Sequence, residues 1–508
     1  MKKSNIFEIP TWLFGLLIVV LILRVPSFFE PYSYGDETIY LTLGEAIRRG
    51  IPLYSGVHDN KPPLLYLTAA IAGNLFWFKA ILAFWSVITI SLFWKLSKII
   101  FPKESLGTKA SVIFFALLTT LPLLEGNIAN AELFMIGPII AGFLILLTPR
   151  QQSKKAPDHK LKLKSLVLAG GAFALATLFK VPAFFDMAAI LLLWVLLAKK
   201  VGTRSILDIT KSALLILVGF LTPLLLTFVW YFFEGALREY VVAAFLQNVG
   251  YLSSWRPDDA QKSFFEKNMP VLIRMGVVAV AVAIIFLKKK KLSWQFSFTT
   301  FWLLFSLFGA TLSERPYPHY LVQALAPISL LVGFLVAKKS YEQIYSLMPL
   351  LLAAFVPYYF NFWHYPTISY YERFIKLASS QITKEEYLTS FGGNVPKYYK
   401  VSNFITLTTE SNDKVFVWGE GSQVYALSKR FPPGKYIADY HIRDFSTDEQ
   451  LVSTLQVSPP IYILVFPQTR DLPPNLRDFV FSNYALFENV EGVYVWKLLN
   501  PGVRGLIN

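Results

Sequence analysis

Long apolar runs separated by short polar stretches dominate the first 361 residues. They fall near 11–28, 79–101, 108–124, 133–148, 165–180, 183–198, 211–233, 270–287, 294–312, 319–337 and 345–361. Each is long enough, or nearly so, to cross a hydrocarbon core of about 30 Å as a helix. The first run has no small-residue cleavage site, and Arg24-Val25-Pro26 stands near its end, so it reads as a retained span and not a cleaved signal. Residues 62–77 are also apolar and helical in pattern. Counted as a span they would reverse the sidedness of every later loop, so they are expected to lie on the outer leaflet with Trp77 at headgroup level. The first outer loop, 29–78, then becomes a small structured platform.

Beyond residue 361 the pattern shortens. Runs of strand length appear at 414–419, 461–466 and 492–496, with helical patterns near 370–380, 396–408, 421–428 and 447–456. This alternation predicts an α/β domain over 362–508. The expected architecture is a polytopic α-helical membrane protein of about eleven spans over 1–361, carrying that domain.

Composition agrees. Of 508 residues, 54% are hydrophobic and only 16% charged, too apolar for a soluble protein. The net charge of +15 has the sign of a nucleic-acid binder, but the basic residues cluster between apolar spans, which makes them topological signals instead. Lys2-Lys3, Lys95, Lys98, Lys103, Arg150, Lys154, Lys155, Lys160, Lys162, Lys164, Lys199, Lys200, Arg204, the run Lys288 to Lys291 and Lys338-Lys339 all fall on one side if the N-terminus is inside. The C-terminal domain is then outside the cytoplasmic membrane. The absence of cysteine excludes disulfides and thiolate metal sites. No glycine-rich loop of the nucleotide-binding kind is evident, which argues against a nucleotide-sugar donor.

The outer loops collect the acids Asp36, Glu37, Asp59, Glu125, Glu132, Glu234, Asp258, Asp259 and Glu314. Most need no explanation beyond tolerance of that face. Asp36-Glu37 stands out in Tyr34-Gly35-Asp36-Glu37-Thr38-Ile39-Tyr40. Asp36 reads as a helix N-cap, with Ile39, Leu43, Ala46 and Ile47 as the apolar face, and equally as a general base with Glu37 tuning it. Lys61, in His58-Asp59-Asn60-Lys61-Pro62-Pro63, is either a snorkelling lysine or a phosphate ligand held by the rigid prolines. Glu132 starts the fourth span, where it either compensates the helix dipole or orients an acceptor or cation opposite Asp36. Arg24 and Lys180 sit where spans reach the outer interface. The string Glu314-Arg315-Pro316-Tyr317-Pro318-His319-Tyr320 offers Arg315, Tyr317, His319 and Tyr320 for a sugar and a phosphate, or else forms an aromatic belt with a basic anchor. A divalent cation (Mg, Mn or Zn) on Asp36, Glu132 and His319 stays open, a lone histidine being weak support for one.

Taken together, Arg24-Val25-Pro26, Asp36-Glu37-Thr38-Ile39-Tyr40, Gly50-Ile51-Pro52-Leu53-Tyr54, Lys61-Pro62-Pro63-Leu64, Glu132, and Arg315 with His319-Tyr320 resemble the C-fold membrane glycosyltransferases. The nearest resemblance is to the family of protein O-mannosyltransferases and lipid A aminoarabinose transferases. It covers roughly residues 11–340. The resemblance implies transfer of one sugar from a polyprenyl-phosphate carrier to a protein, lipid or glycan acceptor, outside the membrane and with inversion. It implies Asp36 as the base and Lys61 as the carrier-phosphate ligand, with Tyr40 and His58 among the residues around the substrate. The family's second acid is usually Asp, and here it is Glu132. A flippase or transporter, an oligosaccharide ligase using a lipid diphosphate, and a non-catalytic sensor are the competing readings. No internal repeat supports the transporter.

The charge pattern yields a direct test. A cysteine introduced by Ala156→Cys is expected to be shielded from an impermeant thiol reagent in intact cells, and a C-terminal tag is expected to be accessible. Labelling at position 156 would overturn the orientation.

Overall fold

The computed structural model describes residues 9–102, 105–148, 161–198, 203–250, 263–337, 340–467 and 472–500. Several of the basic residues used to orient the chain (Lys2, Lys3, Lys103, Arg150, Lys154, Lys155, Lys160, Lys199, Lys200, Lys338 and Lys339) lie outside the described residues, as do Asp258 and Asp259.

A helix lies over each apolar run. The first are α1 (Thr11–Arg24), α2 (Gly35–Arg48), α3 (Leu64–Ala72), α4 (Leu75–Ile100), α5 (Ser105–Leu118), α6 (Ala131–Leu147), α7 (Leu163–Phe179), α8 (Ala188–Leu197) and α9 (Thr203–Phe233). Helices Phe264–Lys288, Trp294–Ala310, Val322–Val336 and Leu347–Tyr359 follow. Among the described residues, Thr11–Phe29, Leu75–Ile100, Ile206–Phe233, Phe264–Lys288 and Pro318–Val336 are long and apolar enough to cross a bilayer alone, while Ser105–Leu118, Ala131–Leu147, Leu163–Phe179 and Val181–Leu197 are shorter apolar helices packed among them. The chain is a multi-pass helical membrane protein.

Segment 62–77 is not one helix. α3 has nine residues, so it rises about 14 Å and cannot span. Gly73 ends it in the left-handed conformation (φ 69°) and Asn74 caps α4 by accepting from the Trp77 amide at 3.0 Å. Trp77 therefore belongs to α4. α2 packs directly on α3 because position 44 is glycine: a Cβ there would sit 2.6 Å from the Ala70 amide nitrogen.

Inside the bundle, α7 lies between α6 and α9. Its contact with α9 is a glycine crossing. A Cβ on Gly170 would come within 2.0 Å of the Ile216 carbonyl oxygen, and one on Gly219 within 2.0 Å of the Val167 carbonyl oxygen. Close backbone approach through small residues replaces the hydrophobic driving force that lipid removes.

The C-terminal part holds a four-stranded sheet of order β1 (Val415–Trp418), β2 (Tyr462–Val465), β4 (Val493–Leu498), β3 (Tyr484–Val490). β1 and β2 are parallel, β2 and β4 antiparallel, and β3 and β4 form a hairpin. The hairpin turns on Glu491 (φ 54°) and Gly492 (φ 86°), the double positive φ that a two-residue turn needs. The sequence pattern does not predict β3, because this edge strand exposes Ala485 to Asn489 and so shows no alternation. Short helices Lys384–Thr389, Asp439–Phe445 and Pro474–Asn483 are likewise additional to the expected elements.

The sheet region sits on the 29–78 segment. The His58 amide donates to the Lys435 carbonyl at 2.9 Å, the Tyr32 amide to the Tyr399 hydroxyl at 3.1 Å, and the Thr38 and Ser422 hydroxyls lie 3.3 Å apart.

Gly170→Leu should force α7 and α9 apart. Overpacking at a tight contact costs about 1–3 kcal/mol, so a lower melting temperature in detergent is expected. An unchanged melting temperature would show that the crossing does not hold the bundle.

Candidate active site

Helix α2 begins at Gly35, and Tyr34 occupies the cap position without a side-chain capping bond. Asp36 is therefore not the N-cap that the sequence suggests. It lies in the first turn, where the helix dipole favours a negative charge. Its Oδ2 accepts from the Tyr40 hydroxyl one turn on, at 2.9 Å, and lies 3.9 Å from Lys61 Nζ. One third of its side chain is exposed.

Lys61 is held at both backbone groups. Its amide donates to the Tyr66 hydroxyl at 3.1 Å and its carbonyl accepts from the Tyr54 hydroxyl at 2.8 Å. Its ammonium lies 3.6 Å from Asp59 Oδ2 and 4.9 Å above the Tyr40 ring. Asp59 is buried. Burial alone would raise its pKa, but Lys61, His441, the Asn60 amide and the Tyr66 hydroxyl together hold the carboxyl below its usual range. Asp59, Lys61 and Asp36 thus form a row of alternating charge.

A second row comes from elements far apart in sequence. Lys180, at the C-terminal end of α7, pairs with Glu132, the acid that opens α6, and lies 3.6 Å above the Tyr320 ring. His319 Nε2 is 3.8 Å from the same Glu132 oxygen, and His319 Nδ1 is 2.5 Å from Glu125 Oε2. Glu125 also accepts from the Tyr34 hydroxyl at 2.8 Å and the Asn130 amide at 2.9 Å. It stands in the left-handed region (φ 58°), so the 122–130 loop is shaped to present it. Glu125 was noted in sequence only as an unexplained acid. Two of its partners, Tyr34 and His319, lie on other segments, and no local signal marks them.

The two rows meet around Tyr40. Burial raises its phenol well above the usual value, and Asp36, Asp59, Tyr66 and Glu132 add to the shift. Beside them opens a cavity of about 250 Å³ lined by Lys61, Lys180, Asn248, Tyr320 and Gln323 together with apolar Val181, Phe185, Phe245 and Leu312. Two lysines therefore line one largely apolar cavity, an arrangement suited to an anion carrying an apolar tail. Its Gln323 is fixed by Pro182 and Asp186. Asp186 is a fully buried acid that also accepts from Trp302 and Ser306, both at 2.6 Å, and was not anticipated.

Other sequence candidates are placed elsewhere. Glu37 points away from Asp36: its Oε1 is 2.7 Å from Lys79 Nζ and accepts from the Ala129 amide at 2.6 Å. Lys79 also binds Glu30 at 2.8 Å. Burial, then the nearby Glu30 charge, raises Glu37 to about 7 against the opposing pull of Lys79. Glu37 is a structural acid. Arg24 is buried and donates to the Thr119 carbonyl at 2.9 Å, joining α1 to the end of α5. His58 packs against Tyr436, His441 and Phe445. Arg315 does not line the cavity, and Arg274 takes the pair with Glu314 at 2.6 Å. Tyr317 stacks on His319 with ring centres 5.6 Å apart, a supporting contact.

Around the acids and histidine that the sequence leaves open to a divalent cation (Asp36, Glu132 and His319), protein groups are the neighbours. Lys180 and His319 already meet the charge of Glu132, and Glu125 holds His319 Nδ1. Among the described residues, no group of three or more histidines and acids is placed to hold an ion.

No protein-family model matches the sequence, and no curated protein matches it. Solved structures do. The chain is similar to ArnT from Cupriavidus metallidurans bound to undecaprenyl phosphate, with 11% identity, 96% of this chain and 98% of that chain covered, and a TM-score of 0.57. The apo state of the same protein matches at 12% identity, with 96% and 97% covered and a TM-score of 0.53. The archaeal oligosaccharyltransferase AglB from Archaeoglobus fulgidus matches at 12% identity over 90% of this chain and 69% of that one, with a TM-score of 0.44. The likeness to ArnT spans nearly both chains and shows a shared fold, the one expected from the sequence.

Lys79 generates the prediction here. Lys79→Met would leave Glu30 and Glu37 buried without their counter-ion, and breaking a buried pair costs about 3–5 kcal/mol. Thermal unfolding should reveal that loss, whereas Glu37→Gln should melt near the parent temperature. Equal melting of Lys79→Met and the parent would show that the triad is not an anchor.

Proposed function

We propose that the protein is a glycosyltransferase that moves a single sugar, a hexose or pentose, from a polyprenyl-phosphate carrier to a protein, lipid or glycan acceptor. The reaction takes place at the outer face of the cytoplasmic membrane, with the N-terminus inside and the C-terminal domain outside. The observation that carries this reading is the apolar cavity faced by both Lys61 and Lys180, with the carboxylate of Asp36 beside Lys61. The fold shared with ArnT, which was solved with undecaprenyl phosphate bound, supports a carrier of that class.

The geometry distributes the work as follows. Lys61 and Lys180 bind the carrier phosphate and stabilise the charge that grows on it as the anomeric C–O bond breaks. Asp36, oriented by Tyr40, accepts the proton of the acceptor hydroxyl or amine as that group attacks the anomeric carbon. The new glycosidic bond forms on the face opposite the departing phosphate, so one displacement gives inversion. Glu132 holds Lys180 in place, and Glu125 holds His319 beside Glu132.

The test is release of polyprenyl phosphate from a labelled polyprenyl-phosphate sugar by purified protein. Asn keeps the shape of Asp but cannot act as base, so Asp36→Asn should bind carrier normally and turn over about 10²–10⁴-fold more slowly. Lys61→Ala should instead weaken carrier binding by about 1.5–3 kcal/mol, the range for one charge-assisted contact. Full activity in well-folded Asp36→Asn would remove the base from the mechanism. Absence of any carrier release would reject the enzyme in favour of a transporter or sensor.

A further inference from the structure

The segment that carries Lys61 is not held by the membrane bundle alone. His58, three residues before it, donates its amide to the Lys435 carbonyl at 2.9 Å and pairs bridge-wise with Tyr436 of the C-terminal part. Its ring is boxed by Tyr436, Phe445 and His441 at centre distances of 5.1, 5.4 and 5.8 Å. Asp59 follows. Its Oδ1 lies 3.4 Å from His441 Nε2 on the helix Asp439–Phe445, while its Oδ2 faces the Tyr66 hydroxyl at 2.8 Å and Lys61 Nζ at 3.6 Å. His441 is buried, and among the described residues its Nδ1 has no hydrogen-bond partner, so the ring's polar reach is spent on Asp59. Elsewhere the same part of the chain touches residues on either side of Asp36, through Gln423 to the Ser33 carbonyl at 3.3 Å and Ser422 to Thr38 at 3.3 Å.

We propose that the C-terminal domain completes the carrier site, with His441 as a positioning residue that acts through Asp59 on Lys61. This rests on the reading of Lys61 as the ligand of the carrier phosphate. The physical argument concerns how one buried carboxylate is satisfied. Asp59 carries a charge that burial penalises, and its two oxygens divide their partners. Oδ1 is shared by the Asn60 amide at 2.8 Å and His441 Nε2 at 3.4 Å, and Oδ2 by Tyr66 and Lys61. Without the imidazole, the buried carboxylate loses one of these four neighbours, and the share that falls on Lys61 rises. The ammonium is then drawn back toward Asp59 and away from the cavity, where it is needed for an incoming phosphate. The α/β domain that the sequence sets apart from the membrane spans is thereby part of the donor machinery.

The experiment measures undecaprenyl phosphate binding to the purified full-length protein, with thermal melting as a check on folding. His441→Phe keeps the ring volume but removes the donor, and should weaken binding about three- to tenfold, the scale of coupling between residues in one polar network. His441→Asn retains an N–H donor for Asp59 and should bind within about twofold of the parent. His441→Leu serves if Phe does not fold. The double variant His441→Phe with Lys61→Ala should bind no worse than Lys61→Ala alone, since both act on one contact. Parent-like binding by His441→Phe, equal losses in the Phe and Asn variants, or additive losses in the double variant would each overturn the proposal. Parent-like binding by Lys61→Ala would instead reject the carrier reading itself, so the two failures are distinguishable.

Discussion

Lys79 is the residue on which the site-bearing end of the bundle depends. It stands near the start of α4, wholly buried, with Glu30 at 2.8 Å, Glu37 at 2.7 Å and the Asn127 carbonyl at 2.8 Å. Each partner belongs to a different segment: the turn after α1, the helix α2 and the loop before α6. Asn127 closes the ring by donating to Glu30 at 2.6 Å, and Tyr370, from beyond the membrane bundle, donates to Glu30 as well. One ammonium thus joins four pieces of chain at the depth where the bundle meets the outer loops. Two acids around one lysine leave a surplus negative charge. Burial resolves it by raising Glu37, which can then hold a proton near neutral pH.

The division of labour within Asp36-Glu37 follows from that anchor. Adjacent residues on a helix point about 100° apart. With Glu37 turned inward to Lys79, Asp36 must face outward, toward Tyr40 and Lys61. The anchor therefore determines which of the two acids is available for proton transfer. It also sets the height of Asp36 relative to Lys180 and Glu132, because Glu37 accepts from the Ala129 amide three residues before Glu132. The two adjacent acids thus have separate surroundings, Glu37 at Lys79 and Asp36 at Tyr40 and Lys61.

What could be read from sequence was what short-range patterns carry. Apolar runs located the helices, and Lys61 before Pro62-Pro63 marked a lysine with a restrained backbone that the structure places on the cavity. Asp36 stands out in the sequence, but its place beside Lys61 is visible only in the structure, and it does not take the capping position that the sequence suggests. Long-range pairing was not legible. Nothing near Lys180 announces Glu132, and nothing near Glu125 announces His319, 194 positions away. Arg24 misled because a charge at a span end reads as substrate-facing, whereas here it satisfies the open carbonyl at the end of α5. Lys79 was passed over inside an apolar run, though an isolated lysine flanked by aromatics and alanine is a signal that a buried partner must exist.

The distribution of exposed side chains explains why the site takes the form it does. α9 shows Leu214, Val218, Leu221, Leu225, Val229 and Phe232 to the outside, and Phe264–Lys288 buries only 6% of its apolar window. Such faces have no place in water, so the bilayer is their solvent. Charges in the bundle obey the opposite rule: Lys79, Glu37, Arg24 and Asp186 all bond internally. Lys61 and Lys180 are the intermediate case. Each has a carboxylate partner, yet each retains about a fifth of its side chain accessible, at 20% and 17%. A cation that is paired but not enclosed keeps its charge in a poorly polar setting and still gives an incoming anion a surface to meet. With apolar walls such as Phe185 and Phe245 beneath them, these ammonium groups favour an anion that brings hydrocarbon with it over a free anion that leaves water entirely. The character of the cavity thus follows from the solvent boundary on which the fold places it.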